Sequence, residues 1–100
     1  MATKLKNDAD QLLKLAYSEH YSSAFRLAFA KLKNNHQAED CVQEAFLVLY
    51  KKYLNGEEIE YVRAFLFKTV NNLALKIIAD NSRQAVLIPL EQVEYIPSQN

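Results

Sequence analysis

The chain has 100 residues, which is the size of one domain. Half of its residues are hydrophobic, which excludes a disordered chain, and no run approaches the ~20 apolar residues of a membrane helix. Its 12 Lys and Arg balance 12 Asp and Glu. This zero net charge argues against strong independent binding to nucleic acid, since proteins that bind it alone usually carry a basic excess. The single cysteine, Cys41, and the lack of an N-terminal signal segment predict a cytoplasmic protein.

The first predicted helix covers residues 8–33, where apolar side chains recur at spacings of three and four. Its predicted core positions are Leu12, Leu13, Ala16, His20, Ala24, Leu27, Ala28 and Leu32. Four aromatic residues widen the apolar face, which predicts contact with more than one neighbour: Tyr17, Tyr21, Phe25 and Phe29. Ser18, Ser22 and Ser23 weaken helix propensity in the middle of the segment and predict a bend or break there.

The second predicted helix covers residues 36–54, with Asn35 as its N-cap. Its acidic residues lie towards the N-terminus of the helix and its lysines towards the C-terminus, where each interacts favourably with the helix dipole. Asn55 and Gly56 end it. A clean apolar stripe forms its predicted core face: Ala38, Cys41, Val42, Ala45, Phe46, Leu49 and Tyr53.

The third predicted helix covers residues 61–80 and ends at Asn81 and Ser82. Its predicted core positions are Val62, Phe65, Leu66, Thr69, Val70, Leu73, Ile77 and Ile78. The tail from Arg83 contains both prolines and is predicted to be a linker, in which residues 86–88 either form a short strand or pack on the helices. Three long helices joined by short loops predict an all-α fold, a three-helix bundle.

Four residues of the second helix share a stripe that lies away from its core face. Gln43, Glu44 and Leu47 follow Asp40 by three, four and seven residues. One interpretation is a solvated helix surface with a single exposed leucine, which is ordinary. The other is a docking ridge for a partner, with carboxylates for arginine and Leu47 as an apolar anchor. Spacing alone leaves both interpretations open.

The third helix is mildly basic in a neutral protein, with four cations against two acids between residues 60 and 83. The residues away from its core positions are Arg63, Phe67, Lys68, Asn71, Asn72, Leu75 and Lys76. Amides, a cation and an aromatic ring on one face can read an unstacked base and hold phosphates. The residues alone favour the simpler alternative, a solvated surface with Phe67 at the edge of the core.

The residue pattern predicts no enzyme, no metal site and no cofactor. His20 and His36 have no cysteine or acid at ligand spacing. Serine, histidine and acidic residues are present without any motif that arranges them as a catalytic triad. A chain with one glycine cannot form a glycine-rich phosphate loop.

Two segments nevertheless resemble a known family. Residues 38–50, AEDCVQEAFLVLY, are similar to the most recognisable segment of the extracytoplasmic-function (ECF) sigma factors. Residues 62–75, VRAFLFKTVNNLAL, resemble their next characteristic segment at the expected distance, and residues 20–32 resemble their opening helix. The resemblance covers residues 8–83 and corresponds to region 2 of the sigma-70 family.

The resemblance implies two binding functions. Asp40, Gln43, Glu44 and Leu47 would dock on the clamp-helix coiled coil of the largest subunit of core RNA polymerase. The third helix would bind the non-template strand of the −10 promoter element and so melt the DNA. The residues implied for DNA binding are Arg63, Phe67, Lys68, Asn71, Asn72 and Lys76.

A base flipped out of the duplex would enter a pocket formed by the preceding loop. The residues of that loop are Leu54, Asn55, Gly56, Glu57, Glu58 and Ile59. The resemblance implies by position that Asn72 would contact the flipped base and that Lys68 and Lys76 would hold phosphates. The chain departs from the family at Phe65, where tryptophan is usual, at Val48, which is sometimes basic, and at residues 77–83, which lack the usual basic cluster.

The resemblance also implies a domain organisation. Residues 1–83 form the region 2 domain and residues 84–100 the start of an interdomain linker, with the domain that reads the −35 element absent. Two alternatives remain. The chain is an interaction module that binds polymerase or an anti-sigma factor without productive promoter opening, or it is an unrelated helical bundle with an accidental match.

Overall fold

The computed structural model describes the backbone of residues 2–87 and the side chains of residues 4–83. Within that range the chain forms three helices: α1 (Ala2–Leu32), α2 (Asn35–Leu54) and α3 (Val62–Leu87). The described residues contain no strand. Each helix packs against the other two, so the predicted all-α three-helix bundle is confirmed.

Helix α1 is longer than its sequence predicts and is unbroken. It starts at Ala2 instead of Asp8, and the break predicted near Ser22 is wrong, because the helix is continuous through it. The Ser22 hydroxyl accepts a hydrogen bond from the Arg26 guanidinium at 3.2 Å, one turn further on. Burial of Ala24 against the core in the same turn outweighs the weak helix propensity of serine.

The turn between α1 and α2 places the N-cap of α2 at a different residue from the one predicted. Lys33 adopts a left-handed conformation with φ 57°, and its N–H donates to the Phe29 carbonyl at 2.8 Å, which ends α1. The chain therefore turns one residue earlier than expected. Asn34, not Asn35, is the N-cap: its side-chain oxygen accepts from the Gln37 N–H at 2.8 Å. Asn35 is the first residue of α2.

Replacing Asn34 by alanine is expected to lower the free energy of unfolding by about 0.5–2 kcal/mol, because an N–H of the first turn loses its acceptor. Asn35→Ala is the matched control. It removes the same side chain at a helical position and is expected to change stability by less than about 0.5 kcal/mol. Urea unfolding followed by circular dichroism measures both. A larger loss at Asn35 than at Asn34 would contradict the cap assignment.

The core lies along one face of α2. All seven positions predicted for that face are buried: Ala38, Cys41, Val42, Ala45, Phe46, Leu49 and Tyr53. Helix α1 contributes four buried alanines, Ala9, Ala16, Ala24 and Ala28. Because these side chains are small, the two helices can approach closely. Leu12, predicted in the core, is exposed, since the neighbouring turns bury Ala9 and Ala16 and only Leu13 of the leucine pair packs against the core.

Helix α3 buries Leu66, Val70 and Ala74 and continues to Leu87. Ile78 was predicted to be buried and is exposed, because Ile77 packs against the core in this turn instead. The predicted end at residues 81–82 is also wrong. Asn and Ser are tolerated within a helix, no glycine or proline stands between Asp80 and Pro89, and Arg83 bonds back to Asp80 across residues 81–82. Residues 86 and 87 are thus helical instead of extended, and the rest of the predicted linker lies outside the described residues.

Candidate functional site

The off-core stripe of α2, called the docking stripe here, faces solvent along its whole length. Asp40, Gln43, Glu44 and Leu47 are all exposed, and Leu47 has 45% of its surface accessible. The four side chains line one groove between α1 and α2, called the acidic groove here. Its lining residues are Leu13, Tyr17, Glu39, Asp40, Gln43, Glu44, Phe46, Leu47 and Tyr50. The structure therefore brings together the residues that the sequence predicted as a docking ridge.

The acidic groove combines an aromatic floor with a rim of carboxylates. The rings of Tyr17 and Phe46 lie 5.0 Å apart, centroid to centroid, and join the two helices at the floor. Glu39, Asp40 and Glu44 supply three carboxylates, and the lining within the described residues has no cationic side chain. Such a surface suits an elongated partner that offers arginine or lysine beside an apolar side chain.

A hydrogen bond between distant parts of the chain fixes one side of the groove. The Tyr50 hydroxyl donates to the Asp10 carboxylate, and the Lys6 ammonium contacts the same carboxylate at 3.3 Å. The Tyr50 hydrogen bond, with that of Lys6, holds the pKa of Asp10 below its ordinary value. The hydrogen bond to Asp10 raises the pKa of Tyr50, and the separate hydrogen bond between Lys6 and Asp10 raises the pKa of Lys6. The first turns of α1 are in this way tied to α2.

This contact predicts a specific acid dependence of stability. The pKa of Asp10 is lower in the folded chain than the value of about 3.9 in an unfolded one. Its contribution is therefore present above about pH 4 and is lost as the pH falls through the lowered folded value. Asp10→Asn and Tyr50→Phe are each expected to reduce the fall in unfolding free energy below pH 4. Urea unfolding at pH 6, 4 and 3 measures it. Because Asp10→Asn already removes the acceptor of the Tyr50 hydroxyl, the double variant should resemble Asp10→Asn alone, and additive losses would contradict the pairing.

The residues predicted to bind DNA are distributed around the exposed half of α3. Lys68 and Asn72 are exposed, whereas Phe67 and Asn71 are half-buried. The Arg63 guanidinium lies 4.6 Å from the centroid of the Phe67 ring, a cation–π contact, and approaches the Ser23 hydroxyl of α1 at 3.5 Å.

Lys76 lies at the opposite edge of α3, in a second groove between α2 and α3. That groove is lined by Asp40, Cys41, Glu44, Leu73, Lys76, Ile77 and Asp80. Two acids of the docking stripe, Asp40 and Glu44, thus border both grooves. The six DNA-binding candidates are spread over more than one face of α3, because a helix turns about 100° per residue and places Arg63 and Lys76 at opposite edges. Their role in DNA binding stays a prediction.

The thiol of Cys41 holds α2 and α3 together at this second groove. Its Sγ donates to the Val70 carbonyl at 3.5 Å, and burial raises the pKa of the thiol. A buried thiol of raised pKa is unreactive.

The loop of residues 54–59, called the flipped-base loop here, is anchored at both ends. Leu54 and Ile59 pack against the core. Gly56 has φ 83°, a conformation in which a side chain is strained, and between the anchors the loop is exposed. Glu57 lies 3.6 Å from the Lys52 ammonium, which offsets part of the negative charge of the loop.

Sequence reasoning missed Tyr61, which follows the flipped-base loop directly. Its side chain is 70% exposed. Its carbonyl accepts the Phe65 N–H at 2.9 Å, so Tyr61 stands at the N-terminus of α3. It also missed Tyr17, Tyr50 and Asp10 beside the acidic groove. Of these, only the i, i+4 pair of Lys6 and Asp10 carried a signal in the sequence.

Two further features concern the described residues alone. Within residues 2–87, no group of three His, Cys, Asp or Glu side chains is arranged to hold a metal ion. None of the three helices there combines the length and the apolar character needed to cross a membrane.

Comparison with known families agrees with this architecture. The family model of Sigma-70 region 2 matches residues 16–84, which is more than half of the chain. The chain therefore belongs to the sigma-70 region 2 family, and it has the role of a sigma factor domain in polymerase binding and promoter recognition. Comparison with curated proteins gives no match, and comparison with solved structures gives none either.

Proposed function

We propose that the chain is region 2 of an ECF sigma factor that docks on the clamp helices of core RNA polymerase and melts the −10 promoter element. The observation that carries the proposal is the acidic groove, where Asp40, Gln43, Glu44 and Leu47 meet an aromatic floor. The ECF subtype is supported by the resemblance of residues 38–50 and 62–75 to that subfamily. The factor has no catalytic activity of its own and works in the cytoplasm.

The docking part of the proposal follows from the chemistry of the groove. Carboxylates accept paired hydrogen bonds from arginine, so Asp40 and Glu44 would bind cations on the polymerase coiled coil. Leu47 is exposed and would become buried on docking, which adds apolar contact at the centre of the interface.

The promoter-melting part rests on the outer surface of α3 and the flipped-base loop. Opening DNA costs on the order of 1–2 kcal/mol per base-pair step. Holding one extruded base against the loop and Asn72 offsets part of that cost and selects a sequence. Lys68 would hold a phosphate of the non-template strand. Polymerase supplies most of the remaining DNA affinity, so a domain without net charge suffices.

Binding of single-stranded −10 DNA to the complex of the chain with core polymerase tests this proposal. Lys68→Ala is expected to weaken binding and to reduce the slope of log affinity against log salt by about 0.7, as one phosphate contact is lost. Asn72→Ala should instead reduce discrimination between bases. Lys31→Ala, at an exposed lysine in the last turn of α1, is the control and should change neither quantity.

A second candidate function is an interaction module that binds polymerase or an anti-sigma factor without opening promoters. The position of Lys76 beside Asp40, Glu44 and Asp80 favours it, because these acids oppose the approach of phosphate. The same measurement separates the two candidates. If the chain binds polymerase, but neither Lys68→Ala nor Asn72→Ala changes the binding of DNA, the result would support the interaction module and contradict the melting function.

A further inference from the structure

The N-terminal half of α1 carries a row of leucines that are exposed in the described part of the chain. Leu5, Leu12 and Leu15 have 38%, 45% and 56% of their surface accessible. A single exposed leucine is ordinary, but a row of them forms an apolar surface of the kind at which proteins associate. This row, called the leucine stripe here, lies before residue 16, where the family match begins. The proposed function therefore does not account for it.

The spacing of the leucine stripe is that of a helix that packs along another helix. Leu12 follows Leu5 by seven residues and Leu15 follows Leu12 by three, which are the intervals between apolar positions in a coiled coil. At about 100° of rotation per residue, the three side chains fall within roughly 80° of the helix circumference. Leu13 and Tyr17, which line the acidic groove, project from a different side of α1. A helix packed on the leucine stripe therefore leaves the acidic groove open.

The charges at the two ends of the leucine stripe are complementary to those of a second copy of the same stripe. Lys4 lies at one end and Glu19 at the other, and both are exposed. If two such helices run antiparallel about a two-fold axis near residue 12, Lys4 of each copy faces Glu19 of the other. Leu12 then lies beside its own counterpart, and Leu5 lies near Leu15 of the other copy. A parallel pair would instead place each charge beside a like charge, which is unfavourable.

We propose that the leucine stripe is a self-association surface, through which two copies of the chain pair antiparallel along the N-terminal halves of α1. Asp8, the third charged residue of the stripe, supports this orientation, because it lies beside its own counterpart only in a parallel pair. The interface consists of a few side chains from each copy, so the dimer is weak and its population depends on concentration. Each copy keeps an open acidic groove, and the inference does not depend on the proposed function.

Sedimentation equilibrium of the full chain over a range of concentrations measures the association. The wild type is expected to shift from monomer to dimer as its concentration rises. Leu12→Glu places two carboxylates beside the two-fold axis and is expected to raise the dissociation constant of the dimer at least roughly ten-fold. Leu75→Glu is the matched control, because it makes the same change at a side chain of α3 that is 52% exposed and lies outside the stripe. It should associate like the wild type.

An exchange of charges distinguishes the antiparallel pair from a parallel one. Lys4→Glu and Glu19→Lys should each weaken the dimer, because each variant brings like charges together at both ends of the antiparallel interface. The double variant exchanges the two charges and is expected to restore most of the association. In a parallel pair, each single variant would only replace one pair of like charges by another, so the dissociation constant would stay close to that of the wild type.

A wild-type chain that stays monomeric at every concentration would overturn the proposal. Equal weakening by Leu12→Glu and Leu75→Glu would show a non-specific apolar contact and would also overturn it. Binding to the clamp-helix fragment of polymerase is expected to be the same for Leu12→Glu as for the wild type. Loss of that binding would assign the leucine stripe to polymerase instead of a second copy. A wild type that dimerises but does not bind the fragment would contradict the proposed function and support this inference alone.

Discussion

Phe46→Ala is expected to lower the free energy of unfolding by about 3–5 kcal/mol, the largest effect of any single substitution considered for stability. The Phe46 ring is only 4% exposed and belongs to the core. Its centroid lies 5.0 Å from the ring of Tyr17 and 6.2 Å from the ring of Tyr21, so it joins α2 to α1 at two successive turns. Alanine leaves a cavity where these rings meet.

Urea unfolding followed by circular dichroism measures this loss. A domain of this size has about 5–15 kcal/mol of stability, so the variant should unfold at much lower urea or be partly unfolded in water. Leu47→Ala is the matched control, because it removes a large side chain from the next residue at an exposed position. It should leave the transition almost unchanged while weakening polymerase binding. A Phe46→Ala transition equal to that of the wild type would mean that the face of α2 identified as core is wrong.

Glu44→Arg is expected to give the largest loss of polymerase affinity, at least roughly ten-fold, which corresponds to about 1.4 kcal/mol. Glu44 borders both the acidic groove and the second groove, so reversing its charge changes the field of the whole docking stripe. An arginine there would face the cations expected on the clamp helices, and like charges across an interface are strongly unfavourable. Its side chain is exposed, so the fold should be preserved.

Titration of the chain against the isolated clamp-helix fragment of the largest polymerase subunit measures this effect. Asp8→Arg makes the same change of charge at an exposed residue of α1 outside the acidic groove, and it should bind with close to wild-type affinity. Reversal of a facing clamp-helix cation to glutamate should restore part of the affinity of Glu44→Arg. Equal affinities of wild type and Glu44→Arg would contradict the docking assignment.

Helix α2 could be predicted from the sequence almost completely. Its apolar residues follow one helical period without interruption, and Asn55 and Gly56 give it a clear end, so all seven core positions agree with the structure. Its start was less certain, because adjacent asparagines offer the same cap. The left-handed turn at Lys33, which decides for Asn34, leaves no mark in the sequence. Leu12 was misplaced for a related reason, since either leucine of a pair satisfies the period.

The candidate site was predicted in part. The docking stripe of α2 stood out because Leu47 interrupts a polar surface. The contribution of α1 was not predicted. The aromatic ring that contacts Phe46 is determined by how α1 and α2 pack together, and the apolar periodicity of each helix does not contain that information. The contact of Asp10 with Tyr50 joins residues forty positions apart, beyond any local pattern. For α3, periodicity separated the core from the surface but did not divide that surface into the edges beside α1 and α2.

The early start of α1 has a consequence for preparing shorter fragments. The family match begins at residue 16, in the interior of a helix that starts at Ala2. A fragment trimmed to the family limits would lose the buried Ala9 and the partner of the Tyr50 hydroxyl. Tyr50 lines the acidic groove, so the trimmed fragment would present a loosened docking surface. Affinities measured on such a fragment would underestimate those of the longer chain, even if its circular dichroism spectrum looked native.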